Sequence, residues 1–128
     1  MMNGFKCKLV VTPLDNGRDW KLEKHFMYHV GAKKSPFIIK VPAKFITDFA
    51  SVPRFFWRLC PPTGKGYTGA AVIHDFLYRQ PMYSRLMADA VFLEAMEVGG
   101  VPRWKRWTMF MAVRLFGRSS YRSKQENL

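Results

Sequence analysis

Phe45-Ile46-Thr47-Asp48-Phe49-Ala50-Ser51-Val52-Pro53-Arg54 is the stretch at which the chain changes its period. Before it, apolar residues alternate with polar ones, as in half-buried strands. After it they recur every three to four residues, as in helices. Strands followed by helices in a chain of 128 residues predict the α+β class: a small antiparallel sheet of N-terminal strands packed against three to four C-terminal helices. Residues 1–117 are expected to form this single domain, and residues 118–128 a polar, flexible tail.

Upstream of the switch, Phe5 to Thr12 alternates as a strand, and Asp15-Asn16-Gly17 signals a tight hairpin. A second strand is predicted from Trp20 to Val30. Its Trp20, Leu22, Phe26, Tyr28 and Val30 face one way, and Lys21, Glu23, His25 and His29 the other. Four residues along a strand separate His25 from His29 by roughly 13 Å. They cannot hold one ion together and read as solvated residues. Phe37 to Val41 is a third, more apolar strand, expected to lie more centrally, and Phe45 to Thr47 is a short extended segment after the turn Pro42-Ala43-Lys44.

Downstream, Ser51 can cap a short helix that tolerates Pro53 in its first turn and stops before Pro61-Pro62. The loop Thr63-Gly64-Lys65-Gly66 lacks the spacing of a Walker motif. Three long helices are then predicted: from about Thr68 to Arg79; from Ser84 as N-cap to Gly99-Gly100; and from Pro102 to Gly117.

Acidic residues decide where chemistry could sit. Between Lys24 and Leu93 there are three, Asp48, Asp75 and Asp89, each embedded among apolar residues. A carboxylate in such surroundings is costly unless it is paired, hydrogen-bonded or metal-bound. On a helical wheel His74, Asp75 and Tyr78 share a compact polar face around Ala71. Asp89 falls within the apolar stripe Leu86, Phe92, Leu93 and Met96 of the next helix. Asp48, at the handover from strands to helices, can reach the same place.

The functional expectation is a metal site of His74, Asp75, Asp89 and Asp48. Imidazole with carboxylates suits manganese, iron or zinc and a hydrolytic water. Arg54 and Tyr78 would orient an anionic substrate or stabilise developing charge, so the catalytic set is Asp48, His74, Asp75, Asp89, Tyr78 and Arg54. A nucleophilic Ser51 with His74 as base is a weaker fit, because no nucleophile-elbow glycines flank it. The alternative is a purely structural polar network. Three carboxylates facing one His and one Arg look over-supplied with negative charge for that.

The formal net charge of +12 fits anionic partners (nucleic acid, an anionic lipid surface or an acidic protein) and equally a charge that only keeps a small protein soluble. Cys7 and Cys60 make neither a metal motif nor a disulfide framework. No apolar leader and no run of membrane-spanning length is evident, so a reduced, intracellular setting is expected. From Trp107 to Phe116 only Thr108 and Arg114 interrupt the apolar residues. A helix apolar all round is hard to bury in so small a protein. Core packing alone is the favoured account; otherwise a homo-oligomer, a phage or host protein, or a membrane surface could cover the 102–117 helix, with Arg103, Lys105, Arg106, Arg118 and Arg122 suiting an anionic one.

Thr47-Asp48-Phe49-Ala50-Ser51-Val52-Pro53-Arg54, then Ala70-Ala71 leading to His74-Asp75 and Tyr78, then Ala88-Asp89 with Phe92, resemble the DUF1353 proteins, small proteins of unknown function found in tailed bacteriophages and prophages. The resemblance runs from about the first strands to Gly117. It implies a phage origin, hence the host cytoplasm or the virion as location, and it supplies no activity. Two functions follow as expectations: a hydrolase with a metal-assisted or acid/base pocket, or a non-enzymatic protein of virion assembly or host interference.

Overall fold

The computed structural model describes residues 9–16, 19–31, 36–47 and 67–126. Contacts divide the chain into two compact units, Met1–Asp48 and Phe49–Leu128. Among the described residues five short strands precede four helices, the α+β composition expected.

In the first unit, β1 (Val11–Pro13), β2 (Trp20–Leu22) and β5 (Ile46–Thr47) form one antiparallel sheet with β2 in the centre. A second, two-stranded sheet pairs β3 (Phe26–His29) with β4 (Ile38–Val41). The long second strand predicted from Trp20 to Val30 is therefore two strands. Its apolar face would need an apolar residue at position 24, and Lys24 stands there. Glu23, Lys24 and His25 are all exposed, and the chain bends through them. The third predicted strand is not central either: among the described residues β4 pairs with β3 alone.

Where alternation persists it works as expected. Phe26 lies opposite Val41 and Tyr28 opposite Ile39, and all four are buried. His29 departs from the pattern. Expected to be solvated, it is buried, because both faces of β3 are covered at that end. The β1–β2 turn is held by Asn16, whose Oδ1 accepts from the Asp19 backbone N–H at 2.9 Å while its amide donates to the Asp19 carboxylate at 2.7 Å. The β4–β5 turn places Lys44 at φ 73°, a left-handed conformation that is uncommon for a residue with a Cβ.

The second unit contains α1 (Thr68–Tyr78), α2 (Arg85–Val98), α3 (Arg103–Phe116) and α4 (Arg118–Glu126). The first three match the predicted boundaries closely. Ser84 caps α2, its hydroxyl accepting from the Met87 N–H at 3.0 Å, and Gly100 follows α2 at φ 88°, where a glycine is favoured. The fourth is a correction. Residues expected to form a tail are helical and tied in: Tyr121 donates to the Tyr83 carbonyl, Gln125 to the Tyr78 and Gln80 carbonyls, each at 2.8 Å, and Lys124 is buried. Gln125 thereby satisfies carbonyls that the end of α1 leaves without helical partners.

Neighbouring helices pack in sequence, and α4 returns to α1. Their core includes Ile73, Leu77, Phe92, Ala95, Met96, Met109 and Val113. The buried face of α2 is rotated from the predicted stripe: Ala88, Val91 and Ala95 are buried, whereas Leu86 is 59% exposed. Gly117 joins α3 to α4. A Cβ there would lie 2.4 Å from the Val113 carbonyl oxygen and 2.7 Å from the Tyr78 hydroxyl, so only glycine lets the chain pass that closely over Tyr78.

Candidate functional site

Two buried carboxylates organise the helical unit. The first is Asp89 of α2, fully buried. Its Oδ1 lies 2.7 Å from His74 Nε2 and accepts from the Tyr78 hydroxyl at 2.6 Å. Its Oδ2 accepts from the Arg114 guanidinium at 2.8 Å, with Arg85 at 3.9 Å. His74 and Tyr78 are four apart on α1, so one helical face presents both to one acceptor. The His74 ring packs against Tyr78 and Phe92, at centroid distances of 4.2 and 4.5 Å. The Tyr78 ring also meets Tyr121 edge-on at 5.1 Å. Arg85 donates to the Val113 and Arg114 carbonyls at 3.0 and 3.1 Å, placing a cation where α3 ends and its dipole is negative.

The second carboxylate is Asp75, one residue round α1 from His74. It faces Lys124 of α4, whose ammonium lies 2.6 Å from its Oδ1, and it accepts from Arg79 at 3.2 Å.

The titration of the first cluster follows from this geometry. Burial alone would raise the Asp89 pKa, but hydrogen bonds from His74, Tyr78 and Arg114 hold it below the ordinary carboxylate value. Burial pushes the His74 imidazole down, and only partly do the hydrogen bond and charge of Asp89 oppose it. The Tyr78 phenol is pushed far up by burial and by its bond to the carboxylate. At neutral pH the cluster is a carboxylate, a protonated phenol and a neutral imidazole. With Asp89 ionised, Nε2 of His74 carries the ring proton and donates it, and Nδ1 keeps the lone pair.

Of the residues predicted from sequence, the structure brings His74, Tyr78 and Asp89 together. Asp75 is turned to a different pair of cations. Asp48, Ser51 and Arg54 lie outside the described residues. Among the described residues, no three His, Cys, Asp or Glu side chains gather as a metal ion would require. The expected His74, Asp75 and Asp89 ligand set is thus divided, because each carboxylate already has its own basic neighbours. Sequence reasoning also missed Arg114, Arg85, Lys124 and Arg79, which remove the apparent excess of negative charge. Arg114 left a trace, as the one charged interruption of an apolar run. Lys124 left none, in a segment where polar residues are ordinary.

A family model described as "Protein of unknown function (DUF1353)" matches residues 20–113. The chain belongs to the DUF1353 family. The match takes in His74, Asp75, Tyr78 and Asp89 and stops short of Arg114 and Lys124. This DUF1353 chain is also similar to the uncharacterised protein y4jT of Sinorhizobium fredii, 33% identical over 78 residues. The alignment covers 60% of this chain and 23% of that protein, so the chain spans less than a quarter of that relative's length. No solved structure matches it.

Proposed function

We propose that this DUF1353 chain is a phage or prophage protein that works without catalysis, as a binding module for an anionic partner in virion assembly or host interference. The motif resemblance supports the phage origin. One observation carries the rest: both buried carboxylates of the helical unit are neutralised by the chain's own cations, Asp89 by Arg114 and Arg85, and Asp75 by Lys124 and Arg79. The buried acids are turned inward, and no acidic residue occurs between Glu97 and Glu126, while Arg103, Arg118 and Arg122 are exposed there. The outward face is therefore basic and suits an anionic surface.

The test pairs elemental analysis of protein purified without chelator with binding to polyanions. The expected outcome is no stoichiometric metal, melting unaffected by chelator, and binding to anionic partners that weakens steeply with salt. One equivalent of manganese, iron or zinc, lost together with His74→Ala, would reverse the reading.

An acid/base hydrolase is the second reading. The observation favouring it is the 2.7 Å contact of Asp89 with an imidazole held neutral, the state a general base requires. In that reading His74 takes the proton, Asp89 orients it and Tyr78 steadies developing charge, while the expected contributions of Arg54 and Asp48 lie outside the described residues. Turnover of a model ester or phosphodiester that disappears in a folded His74→Ala variant would establish it.

A further inference from the structure

We propose that the outer face of α3, together with the start of α4, seats the protein on the surface of an anionic phospholipid bilayer. This rests on the anionic-partner reading above and names the partner.

Large apolar side chains on α3 point away from the helical unit. Trp104, Trp107, Met111 and Leu115 range from 46% (Trp107) to 66% (Leu115) exposed. At 100° per residue they fall within an arc of about 80° and run about 16 Å along the helix. Met109, Ala112 and Val113 form the buried side of the same helix. The stripe is therefore a second apolar face, additional to the one that packs inward. Its C-terminal end opens into a groove of about 590 Å³ that Leu115 and Phe116 share with Arg118, Ser119, Arg122 and Ser123. Two guanidiniums and two hydroxyls there can donate to a phosphate, while the adjoining Leu115 and Phe116 meet acyl chain. Glu126 stands at the groove as the single opposing charge.

Charge complementarity selects the occupant. Arg103, Lys105, Arg118 and Arg122 flank the stripe, and the Lys105 ammonium lies 5.6 Å from the centre of the Trp104 ring. Two tryptophans beside basic residues, with aliphatic side chains between, match the boundary of headgroup and acyl chain. A second copy of the chain would bring the same cations against one another across an isologous contact. Nucleic acid could stack on the tryptophans but offers nothing apolar to Met111 and Leu115. Among the described residues no helix is long and apolar enough to cross a membrane, so the helix would lie in the interface rather than span it.

The test is co-sedimentation of the 128-residue chain with vesicles of phosphatidylglycerol and phosphatidylcholine, against vesicles of phosphatidylcholine alone, with tryptophan emission followed in parallel. Expected are binding to the anionic vesicles, a blue shift, and weakening by added salt. Trp104→Ser/Trp107→Ser should weaken binding roughly tenfold or more. Arg118→Gln/Arg122→Gln should do so by a similar factor and flatten the salt dependence. All four positions are exposed, and unchanged far-UV spectra and melting will show that the variants fold. Binding that ignores lipid charge, or that survives both double substitutions, overturns the proposal. Binding to RNA or DNA without binding to anionic vesicles overturns the lipid assignment and leaves the anionic-partner reading standing. Binding to neither removes both. A dimer that the tryptophan variants convert to monomer, without vesicle binding, assigns the stripe to self-association instead.

Discussion

Replacing Arg114 with Met removes the closest cation from Asp89 and keeps an unbranched apolar stem in place of the Arg methylenes. Removing one partner of a fully buried pair costs about 3–5 kcal/mol. Three features reduce that here. Arg114 is 28% exposed, Arg85 remains at 3.9 Å, and Asp89 still receives His74 and Tyr78. What is lost is one hydrogen bond to a charged group and part of the charge balance, about 2 kcal/mol. For a chain of this size that lowers the melting temperature by on the order of 6–12 °C.

The assay is thermal and urea unfolding of wild type, Arg114→Met, Asp89→Leu and the double variant. The double variant should be more stable than the sum of the singles predicts, because the Arg114–Asp89 interaction is counted in both singles but lost only once in the double. The Arg114→Met penalty should also shrink as the pH falls below the Asp89 pKa and the carboxyl becomes neutral. A penalty under about 0.5 kcal/mol, or strict additivity in the double variant, would refute the inference that Arg114 balances Asp89.

Lys124→Met removes the ammonium 2.6 Å from Asp75 Oδ1 and should cost about 1.5–3 kcal/mol, measured by urea unfolding; a neutral result would mean that α4 is not clamped by this pair. Gly117→Ala places a methyl against the Tyr78 hydroxyl and the Val113 carbonyl, and should cost about 1–3 kcal/mol in the same assay. Ser84→Ala removes the α2 cap at a cost of about 1 kcal/mol. Stability should also depend on pH in a stated direction. The folded His74 and Asp89 pKa values lie below their ordinary 6.5 and 3.8, so the unfolded chain takes up protons first. Their contribution is complete above pH 6.5, begins to be lost below it as the unfolded imidazole protonates, and falls further below pH 3.8. Tyr78 acts in the opposite sense, its share being lost as pH rises above 10, where the unfolded phenol ionises and the folded one does not. A melting temperature flat between pH 7 and 4 would contradict this account.

The sequence was readable wherever one residue's preference had no competitor. The bounds of α2 follow from Ser84 and Gly99-Gly100, and the pairing of His74, Tyr78 and Asp89 follows from helical spacing and the cost of burying an acid. It misled where a pattern depended on partners distant in the chain. The Trp20–Val30 alternation looks continuous until position 24 is asked to be apolar. A polar 118–126 segment looks unstructured until Lys124 is seen against Asp75 and Gln125 against the end of α1. For the same reason the site looked short of positive charge. Periodicity reports which face a residue occupies, and not which residue from another helix will meet it there.

The pairing of Asp75 with Lys124 also sets an order of events during synthesis. Forty-nine residues separate the two, so at about 5–20 residues per second the acid is made some 2–10 s before its counter-ion. Until then Asp75 lacks the Lys124 ammonium, and products cut short before α4 would fold without that contact. Completion of the C-terminal helix thus works as a late checkpoint: the helical unit can reach full stability only after translation has passed Lys124.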